Sequence, residues 1–398
     1  MARRVVPDAA AGAVLLAMCF LVVLGPFRVA ARLVMRVTTI WPSPRLISKS
    51  FEIHIRWAKV NESAIISELD LEIVNALQIN PRAEWSRIAD ALGLSAPTVA
   101  RRWNALASQG QAWITPAPGQ RYLSAGWSAF IHLSSSPSES EALIERLCAE
   151  PAFATVSLVT GSHDLFMDCF ASSHQELMDI VTGAFPKLPG VTHREVVFVT
   201  KLYRQASEWR SGTLEPARAR LVSAEPLPEH PAYAPDRLDA ALLEELAKDG
   251  RASWAELGAA CHVSPQTARR RVERFLATGY ITLRCDSSTS AQQGLREVTL
   301  VLNVPAQYVD GVGRFFAALP NCRLSAQVLG AQNLLVTLWV RDYLEVQAYE
   351  RELAERAPGS AVISRQAVVR TFKRLGHVLD QAGRSRSVVP LPLWRESS

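Results

Sequence analysis

The sequence predicts an α+β protein made of one module used twice, each copy being three helices followed by a strand, helix, strand, strand, helix, strand unit. Three observations predict it: an internal repeat, a change of hydrophobic period at the same place in both copies, and turn-forming Gly and Pro residues that recur in register. The repeat needs no gap. Residues 69–110 overlie residues 238–279 at a constant offset of 169, matching Asp70 with Asp239, Leu77 with Leu246, Arg82 with Arg251, Trp85 with Trp254 and Ser95 with Ser264. The register then survives downstream, where Gly161 falls on Gly330, Pro189-Gly190 on Pro358-Gly359 and Lys201 on Arg370.

The first part of each copy reads as three helices. Ile73, Val74 and Leu77, like Leu242, Leu243 and Leu246, recur at helical spacing and give each first helix one apolar stripe. Ser253-Trp254-Ala255-Glu256 is a capping box, whereas the first copy has Glu84 and Arg87 there and a weaker start. Gly93 can end the second helix, and Ser95 can cap a third that tolerates Pro97 in its first turn; Ser264-Pro265 repeats this. In the third helix Val99, Trp103 and Leu106, matched by Ala268, Val272 and Phe275, face inward.

What the third helices turn outward is basic. Arg101 and Arg102 in the first copy, and Arg269, Arg270, Arg271 and Arg274 in the second, sit on a short helix entered by a tight turn, as in a DNA-reading helix-turn-helix. Guanidinium suits both phosphate and the guanine edge, and Ser95, Thr98, Ser264 and Thr267 at the helix starts complete the candidate DNA-binding set. A solvated basic face on an ordinary helical bundle is the competing reading.

The second part of each copy changes period. Ala129, Ile131 and Leu133 alternate; a helix follows over 138–148, two strands around Gly161-Ser162-His163-Asp164, a helix over 174–185, and a last strand over 194–203 after Pro189-Gly190. That order is ferredoxin-like βαββαβ. The second copy repeats it, with helices near 307–318 and 343–356 and the loop Gly330-Ala331-Gln332-Asn333.

In combination, Leu69-Asp70-x-x-Ile73, Gly93-Leu94-Ser95 with Arg101 and Arg102, Gly161-x-x-Asp164-Leu165, Leu188-Pro189-Gly190-Val191 and a closing Lys201 resemble the Lrp/AsnC transcriptional regulators. The resemblance covers about 69–373, twice. It implies that the first domain of each copy binds double-stranded DNA as part of a dimer. The second would dimerise through its sheet and sense a small-molecule effector, often an amino acid. Family members usually carry one module per chain, so two imply an internal pseudo-dimer, with further self-assembly. The two recognition helices differ, Ala100, Asn104 and Ala105 standing opposite Arg269, Glu273 and Arg274, which predicts an asymmetric site. Candidate ligand residues are Gly161, His163, Asp164, Gly330 and Asn333; Asp164 can neutralise an ammonium group where Asn333 offers only a dipole. A tight turn capped by Asp164 is the alternative. Ala112, where the second copy has Ile281, puts the fit of the trailing strand in doubt.

The same layout also resembles the siroheme decarboxylases of tetrapyrrole synthesis. Their resemblance is weaker, because 156–160 (VSLVT) and 324–329 (LSAQVL) lack the histidine and arginine expected near the second strand. No P-loop, Gly-x-Ser-x-Gly, His-Glu-x-x-His or dinucleotide fingerprint occurs, so no catalytic residue, metal or cofactor is assigned.

The expected organisation is an extension over 1–59, helix-turn-helix domains over 60–115 and 236–285, strand domains over 124–205 and 295–375, an extended linker over 206–235 and a loosely held basic and Pro-rich tail over 376–398. Across 398 residues, 48% hydrophobic and 20% charged residues exclude a disordered or fibrous chain, and a formal charge of only +5 requires any nucleic-acid surface to come from local clustering. Six scattered cysteines without Cys-x-x-Cys predict reduced thiols in the cytoplasm. The apolar run 9–24 after Arg3 and Arg4 is open to three readings: an early start codon with translation beginning near Val60, a membrane anchor, or a cleaved signal. At 1.5 Å per residue it reaches roughly 24 Å, short of a bilayer core near 30 Å.

Overall fold

The computed structural model describes residues 66–125, 127–184, 188–223, 235–288 and 294–393. The apolar run and the rest of the extension before Ile66 lie outside them. Among the described residues no helix is long and apolar enough to cross a membrane.

The first three helices are α1 (Glu68–Ile79), α2 (Trp85–Leu92) and α3 (Ala96–Ser108). Gly93 ends α2 in the left-handed region at φ 68°, and the Ser95 hydroxyl accepts from the Thr98 amide to start α3. Glu84 gives α2 no side-chain cap. Val99, Trp103 and Leu106 are the residues α3 buries, against Ile73, Leu77 and Ile88. Strand β1 (Ala112–Pro118) and the short helix α4 (Gln120–Ser124) lead to the first strand unit: β2 (Ser128–Ser135), α5 (Ser140–Ala149), β3 (Phe153–Val159), β4 (Leu165–Phe170), α6 (His174–Asp179) and β5 (Val191–Arg204). After α7 (Pro216–Val222) the second copy runs α8 (Arg237–Lys248), α9 (Trp254–Ala260), α10 (Pro265–Ala277) and β6 (Ile281–Ser287). It continues through β7 (Arg296–Asn303), α11 (Val309–Ala318), β8 (Cys322–Leu329), β9 (Leu334–Val340), α12 (Glu345–Arg356) and β10 (Ala361–Arg374). The expected capping box of Ser253 and Glu256 starts α9.

The strands of both copies join in one antiparallel barrel. Its order is β10-β3-β4-β2-β5-β8-β9-β7, closed by pairing of β7 with β10. Closure depends on the two long last strands. β5 pairs with its own β2 through residues 191–198 and with β8 of the second copy through 198–204; β10 pairs with β7 through 361–367 and with β3 through 368–373. Each module lends half a strand to the other, so neither sheet keeps an open edge there. Helices cover the outside. Leu143, Leu147 and Leu177 pack on Ile131, Leu133 and Met167 in one half, and Val312, Phe316 and Leu353 on Leu300, Leu302 and Leu338 in the other. A separate cluster of Phe130, Phe166, Val197, Val328 and Leu335 joins residues of both modules.

Three expectations are corrected. The linker is not simply extended: in its described part, residues 206–208 form a 3-10 turn and 216–222 form α7, whose Val222 is fully buried against the first three-helix unit. The tail is not loose, because Arg374 turns at Gly376 (φ 84°) into β11 (His377–Leu379), which pairs with β12 (Ser385–Val388). A Cβ on Gly110 would come within 2.1 Å of the Ser385 carbonyl oxygen, so the hairpin seats closely on the first unit. Ala112 fits its strand: it is fully buried and pairs with Ser287 at the end of the β1–β6 ribbon.

Candidate nucleic-acid interface and ligand loops

The recognition helices α3 and α10 carry the basic residues in two distinct roles. Arg101 and its repeat partner Arg270 are exposed and make no ion pair among the described residues. Arg102 instead turns back to Asp70 on α1 at 3.1 Å, and Arg271 turns back to Asp236 at 2.8 Å and to the buried Asp239 at 3.3 Å. These pairs pin each third helix to its own first helix. The same geometry in both copies explains the repeated aspartate at Asp70 and Asp239, a role that sequence reading missed although the matching 32-residue separation was its signal. Arg269 is exposed and paired along its own helix with Glu273 at 2.8 Å, and Arg274 is half-buried. At the helix starts, Ser95 and Ser264 each bond both the amide and the hydroxyl of the threonine three residues on, Thr98 and Thr267. Their hydroxyls are therefore at the helix N-termini but engaged in capping.

The two units are held together as a pair. β1 and β6 form an antiparallel two-stranded ribbon over seven residues, from Ala112 opposite Ser287 to Pro118 opposite Ile281. Beside it, Arg82 donates to the carbonyls of Gly250 (2.8 Å) and Ala252 (2.9 Å) with its guanidinium 3.9 Å from the Trp254 ring centre. Arg251 donates to Pro81 (2.8 Å) and Ala83 (2.9 Å) and lies 3.7 Å from that of Trp85. Burial pushes the Arg251 guanidinium down to about 10, which still leaves it charged at neutral pH.

The ligand loops are also pseudo-equivalent, but they are not chemically alike. Asp164 Oδ2 accepts from the Ser135 amide at 2.7 Å, and Asn333 bonds the amide and carbonyl of Val304 at 2.9 and 2.7 Å. Each strap ties the loop to the end of its module's first strand. Each loop also lies against the last strand of the other module: Gly161 (φ 114°) beside Gln366, and Gly330 beside Val197. Around Gly161 the environment is polar. His132 bonds Gln366 at 3.2 Å, His163 stands between the rings of His132 (5.3 Å) and His193 (5.4 Å), and Ser162 bonds His163. Burial pushes His132 down to about 4 and lowers His163 as well, so both are neutral at pH 7. The positions repeating His132 and His193 are Val301 and Val362, and Gly330 faces Val197. In place of the three histidines the second loop has Gln332, which repeats His163 and is buried with its Nε2 unpartnered among the described residues.

Residues 66–107 and 236–276 match the AsnC-type helix-turn-helix domain, and residues 128–209 match the Lrp/AsnC ligand binding domain. The chain carries two AsnC-type helix-turn-helix domains and an Lrp/AsnC ligand binding domain. Among its relatives, the uncharacterized HTH-type transcriptional regulator PH0140 of Pyrococcus horikoshii is 28% identical over 144 residues, 34% of this chain and 87% of the relative. PF1231 of Pyrococcus furiosus, similarly described, is 27% identical over 145 residues, 35% of this chain and 94% of the relative. Each match is about the length of one of the two modules. Among solved structures, the siroheme decarboxylase NirDL covers 78% of this chain and 93% of its own, with a TM-score of 0.52 and 15% identity, a likeness of fold. The five described cysteines are unpaired, and no group of three or more metal-ligating side chains occurs among the described residues.

Proposed function

We propose that this chain is a sequence-specific transcriptional regulator of Lrp/AsnC type that reads double-stranded DNA with α3 and α10 as an intramolecular pair. The observation that carries the reading is the reciprocal clamp of Arg82 and Arg251 beside the β1–β6 ribbon, which fixes two helix-turn-helix units as one body within a single polypeptide. Arg101 and Arg270, exposed and without a carboxylate partner, are the base- and phosphate-contacting candidates, joined by Arg269 and Arg274 on the second helix. Arg102 and Arg271 act one step back, by holding the helices in place. Because α10 carries three of these contacts and α3 one, the operator has unequal half-sites. Ser95, Thr98, Ser264 and Thr267 place helix N-termini, with their positive dipole ends, where phosphate can meet them. The names of the Pyrococcus relatives agree with this function.

The small-molecule response is assigned to the Gly161, His163 and Asp164 loop, with Gly330 and Asn333 as its non-equivalent counterpart. An α-amino acid suits it: the unpaired oxygen of Asp164 can take an ammonium group, and the neutral imidazole of His163 can take or give a hydrogen bond. Genome-wide footprinting with and without candidate amino acids tests both parts. Occupied sites with two unlike halves, shifted by an effector, are the expected result; absence of specific sites overturns the reading.

The likeness to NirDL keeps a decarboxylase of the same fold as the second reading. The cavity of the barrel, about 90 Å³, is well below the several hundred Å³ that a ligand of tetrapyrrole size needs, whereas a second cavity of about 410 Å³ lies between the first three-helix unit and the carboxy-terminal hairpin, beside Trp103, Trp113, His377 and Arg386. A spectral titration with an iron tetrapyrrole decides between them; tight binding would favour the enzyme.

A further inference from the structure

The barrel holds a partly open cavity, with apolar walls and a cluster of charged side chains, that neither the recognition helices nor the effector loops use. It is lined by residues of both modules, Ser128, Thr155 and Asp168 from the first and Arg284, Arg323 and Arg374 from the second among them, and its volume is about 90 Å³. That is room for more than a single water. It abuts the ribbon, since Arg284 stands opposite Thr115 in the β1–β6 pairing.

The hydrogen bonds around it do not close. Arg284 is held by Asp286 at 2.7 Å, and Arg374 by Glu297 at 3.4 Å. Arg323 is left between these two carboxylates, 3.8 Å from Asp286 and 3.9 Å from Glu297, both beyond hydrogen-bonding reach. It is only 7% exposed. A buried guanidinium with five donors and no hydrogen bond is expensive in a protein interior. The remaining carboxyl on the wall, Asp168, is pushed above its usual range by burial. Arg284, Arg323 and Arg374 thus stand among three carboxyl groups, and of the three guanidiniums Arg323 is the one without a hydrogen bond among the described residues. The Ser128 hydroxyl on the same lining, 2% exposed, has no hydrogen-bond partner among the described residues. Donors of Arg323 and Ser128 therefore line one cavity without an acceptor.

We infer that this cavity binds a small monocarboxylate, one oxygen of which accepts from Arg323 and the other from the Ser128 hydroxyl. A carboxylate matches the donors of a guanidinium and forms charge-assisted bonds with it. The site stands apart from the effector loop at Gly161 and does not depend on the DNA-binding reading, because it is tested without DNA.

The test is thermal unfolding and calorimetric titration of the full chain with sodium acetate against sodium chloride at equal ionic strength. Acetate should raise the Tm of the wild type saturably where chloride does not. Arg323→Gln should weaken acetate binding by about 10-fold or more, as expected for a lost hydrogen bond to a charged group. Ser128→Val, which fills the cavity at a strand position that accepts β-branched residues, should abolish binding and serves as the second reading if Arg323→Gln does not fold. Failure of acetate to stabilise the wild type beyond chloride overturns the proposal. So does unchanged acetate binding in Ser128→Val or in folded Arg323→Gln.

Discussion

Arg82 and Arg251 are exchanged between the two helix-turn-helix units: each guanidinium donates two hydrogen bonds to the carbonyls that flank the other and packs over the tryptophan beside it. Replacing either with alanine removes two charge-assisted bonds and a cation–π contact from a mostly buried site, a loss of about 2 kcal/mol. Once one clamp is gone the loops can separate, so the double variant should cost less than the sum of the singles. Urea unfolding of the four proteins in the cycle measures it.

Arg101 and Arg102 are neighbours with opposite roles. Arg101→Ala and Arg270→Ala should each weaken specific DNA binding by about 1–3 kcal/mol with little change in stability. Arg102→Ala should cost about 1 kcal/mol of stability or less, since the pair with Asp70 is half exposed. Fluorescence anisotropy on a footprinted site, run beside thermal unfolding, separates the two effects.

His262 occupies in the second copy the left-handed position that Gly93 fills in the first, at φ 56° against 68°. A side chain there is strained, and glycine is not. His262→Gly should therefore stabilise the chain by about 1 kcal/mol, and Gly93→Ala should destabilise it by a similar amount. Shifts of Tm of opposite sign are the result to look for.

Burial holds His132 and His377 down at about 4, well below the unfolded value near 6.5. Below pH 6.5 the unfolded chain takes up protons that the folded one refuses, so stability from these groups is complete above pH 6.5 and is lost as the pH falls toward 4. The urea midpoint should drop across that window. In His377→Asn the drop should be shallower; an equal slope would show that other groups set the acid limit.

Asp164→Asn keeps a side chain able to bond the Ser135 amide, as Asn333 does at Val304, but removes the charge. The response of DNA binding to an amino-acid effector should be lost while Tm is kept. Asn333→Asp, in contrast, should not create a second response, because Gly330 faces Val197 and the positions repeating His132 and His193 are Val301 and Val362.

The repeat made much of this architecture legible from residues alone. An ungapped 169-residue offset fixed both three-helix units, and local rules of capping and period placed Ser95, Ser264 and the inward faces of α3 and α10 where they are found. Those rules operate over a few residues, which is why they can be read from a string. They also put Arg102 and Arg271 in the outward set, because helical spacing gives a face but not the carboxylate 32 residues away that turns the side chain back.

Sequence by itself determined that two like modules exist, where their helices start, and which loop carries an aspartate and which an asparagine. Tertiary structure decided that β5 and β10 cross into each other's sheets to close a barrel, that Arg82 and Arg251 trade places, that α7 and the carboxy-terminal hairpin pack rather than trail, and that Arg323 meets its carboxylates only at 3.8 and 3.9 Å. The physical reason is range. Capping and periodicity are satisfied within a turn or two of chain, whereas a strand's second edge or a buried charge is satisfied by whatever the whole fold brings beside it.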